Sequence, residues 1–168
     1  MIDIQEIRSL GVAPELVQFA EFLIEEKGDR VFPDYRTLNL MKIPALVPYV
    51  WVFDFRNGTD DGFLYHFAGS KIDEYFGFSV TGHTFEHCYS GKYQAQLIRN
   101  VHDRVLLEQK IGFSLRLDVL KYEFHEKMLR VEALSFPCSS DDKNVNFGIG
   151  ITIYSHAIED FGPIFRVL

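Results

Sequence analysis

The sequence has little cysteine, one tryptophan, no long apolar run and no basic cluster. Its 168 residues include two cysteines, Cys88 and Cys138, with no CxxC spacing, so a disulfide framework is excluded and reduced thiols are expected. Cys138, beside Pro137, is interpreted as a loop thiol. No apolar run approaches the roughly 18 residues that cross a bilayer, and the first residues lack the apolar segment of a signal peptide. We therefore expect a cytoplasmic protein with no membrane partner.

The charge distribution argues against nucleic acid as a partner. The formal net charge is -7, and the 17 basic residues are scattered along the chain. What the chain has in excess is aromatic side chains, with 16 Phe and 8 Tyr. Large rings fill a core efficiently, and they can equally line a cavity around a small ligand.

Periodicity and turn residues predict an α+β chain. A helix is expected from Pro14 to Gly28, because apolar residues recur at i, i+3 and i+4 between a starting Pro and a terminating Gly. A hairpin follows, with strands at 49–55 and 63–67 joined by "RNGTDDG". Ser70 is read as the N-cap of a short helix that stops at Gly77. The best helix of the chain is "YQAQLIRNVHDRVLLEQ", and three more strands are expected at 111–120, 127–136 and 147–155.

The order of these elements predicts a five-stranded antiparallel sheet with a helical strap on one face. In a 2 + 3 split, the two halves of the sequence pair side by side and the intervening helices cross one face. The expected division is an N-terminal helix and connector at 1–32, the main domain at 33–156 and a C-terminal tail at 157–168.

Several short motifs follow one another along the chain: Pro33-Asp34-Tyr35-Arg36, Ile43 to Pro48, Asp54, Phe63 to Ser70, and Phe76-Gly77 through Thr81-Gly82. In this order and spacing they resemble the motifs of PAS sensor domains, and more narrowly of a bacterial subfamily of often stand-alone PAS domains. The resemblance covers roughly residues 15–155, and His66 stands where that subfamily commonly has Arg. The first helix lacks a Trp that is often present there, and Phe19 or Phe22 is its expected substitute.

The resemblance implies a PAS-like fold and a sensory or signalling role, with an unknown small molecule or a protein partner as ligand. Gly69 and Gly82 are expected to supply positive φ. Because no kinase, cyclase or DNA-binding segment follows Ser155, the output is expected to pass to a separate signalling protein. No cofactor is assigned, and no metal is expected.

The candidate ligand cavity lies between the strap helix and the inner face of the sheet. Which phase of each strand faces inward is not fixed by the sequence. The candidate lining residues are Phe67, Phe85, Tyr93, Leu97, Val101, Phe113, Leu115, Phe136 and Ile151.

Two groups of residues offer ligands for a metal or a cofactor, and both also have ordinary structural roles. His83 and His87 are at i, i+4 with Cys88 beside them, but a structural zinc site needs four ligands and no second pair is present. His102 lies on the strap helix, where some PAS sensors bind haem, yet the helical wheel puts it on the shoulder of the apolar face and predicts partial exposure. Flavin photochemistry is disfavoured because the residues around Cys88 lack the light-sensing pattern.

Three hypotheses follow. The first is a sensor module, with the N-terminal helix as a homodimer seam or as a lid over the outer sheet face. The second is a small cone-shaped isomerase-like enzyme in which Asp54, His66 and Glu86 meet in a cavity, although no catalytic motif is present. The third is a ligand-free adaptor whose own Phe side chains fill the cavity.

Overall fold

The chain folds around one antiparallel sheet that lies between two helical layers. In a computed structural model that describes residues 3–58, 60 and 62–168, the strand order is β2-β1-β5-β4-β3-β6. The strands are β1 (Val50–Asp54), β2 (Leu64–Ala68), β3 (Gly112–Lys121), β4 (Glu126–Cys138), β5 (Phe147–His156) and β6 (Ile164–Val167). The helices are α1 (Ile4–Ser9), α2 (Pro14–Lys27), α3 (Ser70–Phe76), α4 (Phe85–Tyr89) and α5 (Ala95–Glu108), with 3₁₀ turns at Leu40–Lys42 and Val47–Tyr49.

The predicted α+β, PAS-like arrangement is confirmed. Strand β1 pairs with both β2 and β5, which places the two halves of the sequence side by side, and α3, α4 and α5 cross one face. The sheet has one strand more than predicted. Residues 164–167, within the expected C-terminal tail, form β6 and pair with β3 from Gly112 to Leu115.

A bulge in the first hairpin decides which aromatic side chains face the strap. Val52 pairs with Phe67 and Phe53 pairs with Tyr65, so the register shifts between Val52 and Phe53. Tyr65 therefore stays on the strap face with Phe53, whereas Phe67 joins Val52 on the opposite, outer face. Thr59 and Asp61, in the predicted turn of this hairpin, lie outside the described residues.

The outer face of the sheet is covered by α1, α2 and the connector that follows them. The apolar side of α2, including Phe19 and Leu23, is fully buried against the sheet. Glu132 of β4, itself buried, accepts a hydrogen bond at 3.1 Å from the backbone N–H of Ala13 at the start of α2. Of the two roles suggested for this helix, the structure shows the lid, because the stripe proposed as a dimer seam is buried within the chain.

Glycine stands at both the entry and the exit of α3, and it is needed for a different reason at each position. Gly77 takes φ +81° and ends the helix, as predicted. Gly69, and not Ser70, is the N-cap, and its φ of -73° is open to any residue. Glycine is required at position 69 because a Cβ there would overlap the carbonyl oxygens of Val47 and Pro48. Gly82 has the expected positive φ, at +85°.

Truncation of the buried stripe of α2 tests its role as a lid. We expect Leu23→Ala to lower the free energy of unfolding by about 2–5 kcal/mol, because a fully buried side chain is removed and a cavity remains. Gln18→Ala on the exposed side of the same helix is the control and should change it by less than about 0.5 kcal/mol. Urea unfolding measures both. A Leu23→Ala protein of unchanged stability with an altered oligomeric state by light scattering would contradict the lid.

Candidate functional site

The strap face of the sheet is built from large rings at one edge and small residues in its centre. Trp51 and Phe53 of β1 and Tyr65 of β2 stand at the edge, under α4 and α5. On the central strands the same face carries Gly112, Ser114, Ala133, Ser135, Gly150 and Thr152. The Trp51 ring lies directly over Gly150, where a Cβ would collide with it. The small residues therefore make room for the rings and for the strap.

A small cavity remains between these small residues and the strap helices. Its volume is about 20 Å³. The walls come from α3, α4 and α5 and from the central strands, and most of the side chains in them carry a polar group. They are Trp51, Tyr65, Ile72, Phe76, Tyr89, Ile98, Val101, His102, Gly112, Ser114, Arg116, Ala133, Ser135, Thr152 and Tyr154.

Arg116 is the unusual member of this lining. The residue is only 3% exposed, on the strap side of β3 in phase with Ser114. In the described part of the chain, no carboxylate forms an ion pair with it. A buried charge without a counter-charge costs several kcal/mol, so its presence needs a reason.

Tyrosines surround the guanidinium. Burial acts to lower the pKa of Arg116, whereas the nearby hydroxyls of Tyr89, Tyr75 and Tyr154 act to raise it, Tyr75 also through a hydrogen bond with the guanidinium. Burial also raises the pKa of each of these phenols, so the phenols stay neutral and Arg116 stays charged. Tyr75 of α3 donates a hydrogen bond to Asp118 of β3 and stacks on Tyr154 at 4.7 Å. The strap is thereby fastened to the sheet beside Arg116.

His102 corrects the prediction of partial exposure. It is 6% exposed, and its ring centroid lies 5.2 Å from that of Trp51 and 4.9 Å from that of Phe53. The helical wheel places His102 at the border of the apolar face of α5, and the large rings of β1 extend to that border and cover the side chain. Burial, with smaller effects of Arg99 and Arg116, lowers the pKa of His102 to about 3. Its Nδ1 is buried and has no hydrogen-bond partner among the described residues.

One of the nine predicted lining residues, Val101, lines this cavity. Phe85 is on the strap side, in the aromatic cluster of β1 and β2, but outside the cavity wall. Two others are exposed to solvent, because α5 begins at Ala95, after Tyr93, and turns Leu97 outward. The buried face of the helix instead consists of Ile98, Val101, His102 and Val105.

The other five predicted lining residues lie on the outer face and cannot line a cavity under the strap. Their strands alternate in the opposite phase from the one assumed, or, for the hairpin residue, pass through the bulge. They are Phe67, Phe113, Leu115, Phe136 and Ile151. The residues that sequence reasoning missed are the small and polar ones that alternate with them, above all Arg116. The sequence does contain one indication of the site: Arg116 is a charged residue within a stretch of β3 that is otherwise apolar or small.

The histidine and cysteine motif does not form one site. His83 and His87 stack on each other at 4.5 Å on the surface, while Cys88 of the same helix points into the core. Burial raises the pKa of Cys88 to about 11, which disfavours the thiolate that binds metals. Within residues 3–58, 60 and 62–168, no group of three or more potential ligands could hold a metal ion. Cys138, expected in a loop, is the buried last residue of β4.

The three residues proposed for an enzyme are not brought together. Asp54 pairs with Arg56 at 2.7 Å, and this hydrogen bond lowers its pKa. His66 is exposed in β2, where its Nε2 lies 2.9 Å from the Tyr35 hydroxyl. Glu86 lies on α4, on the other side of the sheet, and is ion-paired with Arg99. These ionisable groups do not converge on a cavity.

Large cofactors do not fit the strap-side cavity. A volume of about 20 Å³ has room for one or two water molecules, whereas sites for drug-sized ligands measure roughly 300–1,000 Å³. The rings of Trp51 and Phe53 close the space around His102 that a haem would need. The residues present therefore do not fit a haem or a flavin. In the described ranges, moreover, no helix is both long and apolar enough to cross a membrane.

The burial of His102 predicts a pH dependence of stability. Since its folded-state pKa of about 3 lies below the ordinary 6.5, the unfolded chain binds a proton there between these pH values and the folded chain does not. We expect His102 to lower the free energy of unfolding by about 1.4 kcal/mol per pH unit as pH falls below about 6. Urea unfolding from pH 7 to pH 4 should show a shallower decline in His102→Gln. The exposed His87→Gln serves as control and should keep the wild-type slope; equal slopes in all three proteins would contradict the assignment.

Solved structures with a similar backbone include PAS and LOV domains. The LOV domain of a blue-light activated histidine kinase from Erythrobacter litoralis EL346 has a TM-score of 0.44 and 11% identity, covering 66% of this chain and 98% of that chain. The PAS domain of BvgS from Bordetella pertussis has a TM-score of 0.46 and 16% identity, covering 71% and 88%.

The VqmA dimer of Vibrio cholerae is a third example, with a TM-score of 0.46 and 16% identity. It matches 69% of this chain, which spans about half (52%) of that protein. No model of a protein family and no curated protein matches the chain. Each of these similarities concerns the backbone alone, and none of them indicates what the chain binds.

Proposed function

We propose that this chain is a cytoplasmic PAS-type sensory or signalling module of a bacterial kind. A small molecule occupies the strap-side cavity, and its presence changes the surface that a signalling protein recognises. No catalytic residue is part of the proposal. The lining residues assigned to the ligand are those of the observed cavity, with Val101 retained from the sequence prediction.

The observation that carries the proposal is a buried charge without an ion-pair partner and an unpartnered ring nitrogen in the same cavity wall. Arg116 is charged, buried and without an ion-pair partner among the described residues, and His102 Nδ1 has no hydrogen-bond partner there. For stability alone, apolar residues of similar volume would serve as well or better at both positions. Perturbed ionisable groups that face a shared cavity are characteristic of binding sites.

The strap is placed to transmit a change in the cavity. Each of its three helices contributes to the wall, and the Tyr75–Asp118 hydrogen bond ties α3 to the sheet next to Arg116. An occupant that shifts these contacts would favour one arrangement of the strap over another, which is a population shift in the ordinary sense. On the far side of α5, Leu97 and Leu107 are exposed and available to a partner protein.

A ligand-free adaptor is the second candidate. The cavity volume of about 20 Å³ favours it, because the protein's own rings already fill most of the space under the strap. The two candidates differ in whether the strap responds to what occupies the cavity.

Overfilling the cavity tests that response without knowledge of the ligand. Ala133 lies in the cavity wall on β4, and Ala133→Leu adds three carbons to it. We expect faster amide hydrogen exchange throughout α3 and α5, because the added volume displaces the strap, with a loss of roughly 1–3 kcal/mol in stability. Hydrogen exchange read by mass spectrometry measures the effect.

Ala45→Leu is the matched control, since Ala45 is exposed in the connector on the other side of the sheet. It should leave the exchange of α3 and α5 unchanged. Protection that is altered only in β4 and its immediate strand neighbours would speak against a responsive strap and in favour of the adaptor.

A further inference from the structure

We propose that the cavity binds a small monovalent anion of one to four heavy atoms, such as chloride, formate or nitrate, with the Arg116 guanidinium as its counter-charge. This inference rests on the proposed function, since it names the ligand class of the same site. It concerns the chemistry of the occupant, which nothing in the fold itself specifies.

The sign of the ligand follows from the charges around the cavity. Arg116 is the one side chain in the wall that carries a full charge at neutral pH, and no Asp or Glu belongs to the described lining. A cation would be repelled by the guanidinium, and a neutral apolar molecule would leave it uncompensated. An anion supplies the missing counter-charge beside a buried guanidinium, and charge-assisted hydrogen bonds are stronger than neutral ones.

The remaining polar groups can donate hydrogen bonds to an anion. Ser114 and Ser135 present hydroxyls from β3 and β4. Thr152 Oγ1 accepts a hydrogen bond at 2.9 Å from Trp51 Nε1, so its own proton is free to be donated into the cavity. His102 Nδ1, buried and unpartnered, becomes a further donor when the ring carries its proton on that nitrogen.

The size of the ligand follows from the volume. About 20 Å³ accommodates one or two water-sized bodies, and Gly112 and Gly150 cannot yield more room because Val101 and Trp51 already pack against them. This excludes sugar phosphates, amino acids and nucleotides. A halide fits directly, and a planar oxyanion fits after small side-chain adjustments.

Trp51 provides a direct readout because it is the single tryptophan and lies in the cavity wall. The 168-residue protein is titrated with sodium chloride, sodium formate or sodium nitrate, and sodium gluconate keeps the ionic strength constant. Gluconate is a monovalent anion too large for the cavity. We expect a saturable change in Trp51 emission and a rise in melting temperature with at least one of the three anions, and none with gluconate alone.

Arg116→Gln removes the charge and should raise the midpoint of the titration about tenfold or more. In gluconate alone it should melt at or above the wild-type temperature, because an uncompensated buried charge has been removed. Arg104→Gln makes the same change of charge at the surface of α5, where Arg104 pairs with Glu108, and should leave the titration unchanged. If Arg116→Gln does not fold, Arg116→Lys replaces it, with a response at least about threefold weaker than wild type.

A wild-type protein that responds to none of the three anions beyond gluconate holds only water, and the proposal is overturned. The same holds if Arg116→Gln, or Arg116→Lys in its place, keeps the wild-type midpoint. If Ala133→Leu displaces the strap but no anion changes the Trp51 emission, the anion proposal is rejected and the sensor function is retained. If an anion binds but the strap does not respond to Ala133→Leu, the anion site is retained and the sensor function is rejected.

Discussion

The structure depends on holding the charged guanidinium of Arg116 inside a core made largely of aromatic rings. The residue is nearly inaccessible to solvent and lies among tyrosines whose own phenols are kept neutral by burial. Phenol oxygens and small hydroxyl-bearing residues can solvate such a charge in part, but they cannot neutralise it. The central strands are correspondingly poor in large side chains, and the strap closes over them through Tyr75 and Asp118. The residues that surround the charge of Arg116 are thus the same ones that hold the strap against the sheet.

The two faces of the sheet have separate tasks. The outer face is a continuous apolar layer shared with α1, α2 and the connector, and it contains large residues such as Phe113 and Phe136. The strap face contains the cavity, the buried His102 and Arg116. Because side chains alternate along each strand, neighbouring residues of one strand supply the structural layer and the wall of the site in turn. A substitution on the outer face of a strand therefore changes stability, whereas a substitution on the strap face changes the cavity.

Much of the fold could be predicted from local signals. Pro14 and Gly28 mark the ends of α2, and Gly77 ends α3 with a positive φ, because starting and stopping residues act through their own backbone chemistry. The phase of the strands could not be predicted in the same way. In β3 both choices, Phe113 with Leu115 or Ser114 with Arg116, were compatible with a buried strand, and the larger apolar pair was assigned to the wrong face.

Other features of the structure depend on tertiary contacts, which no single residue of the sequence indicates. The bulge that moves Phe67 to the outer face arises in the pairing of two strands. Residues 164–167 became β6 because β3 offered a free edge. His102 is buried because Trp51 and Phe53, 51 and 49 positions earlier in the sequence, contact its side of α5. Each of these outcomes is decided by contacts between distant segments, which composition and periodicity do not encode.

The account is tested most directly by X-ray diffraction from crystals of the protein grown in sodium bromide, with data collected at the bromine absorption edge. Bromide replaces other small monovalent anions and is located by its anomalous signal. The account predicts an anomalous peak in the strap-side cavity, in contact with the Arg116 guanidinium. A cavity with only water beside Arg116, in crystals whose surface sites do bind bromide, would contradict it.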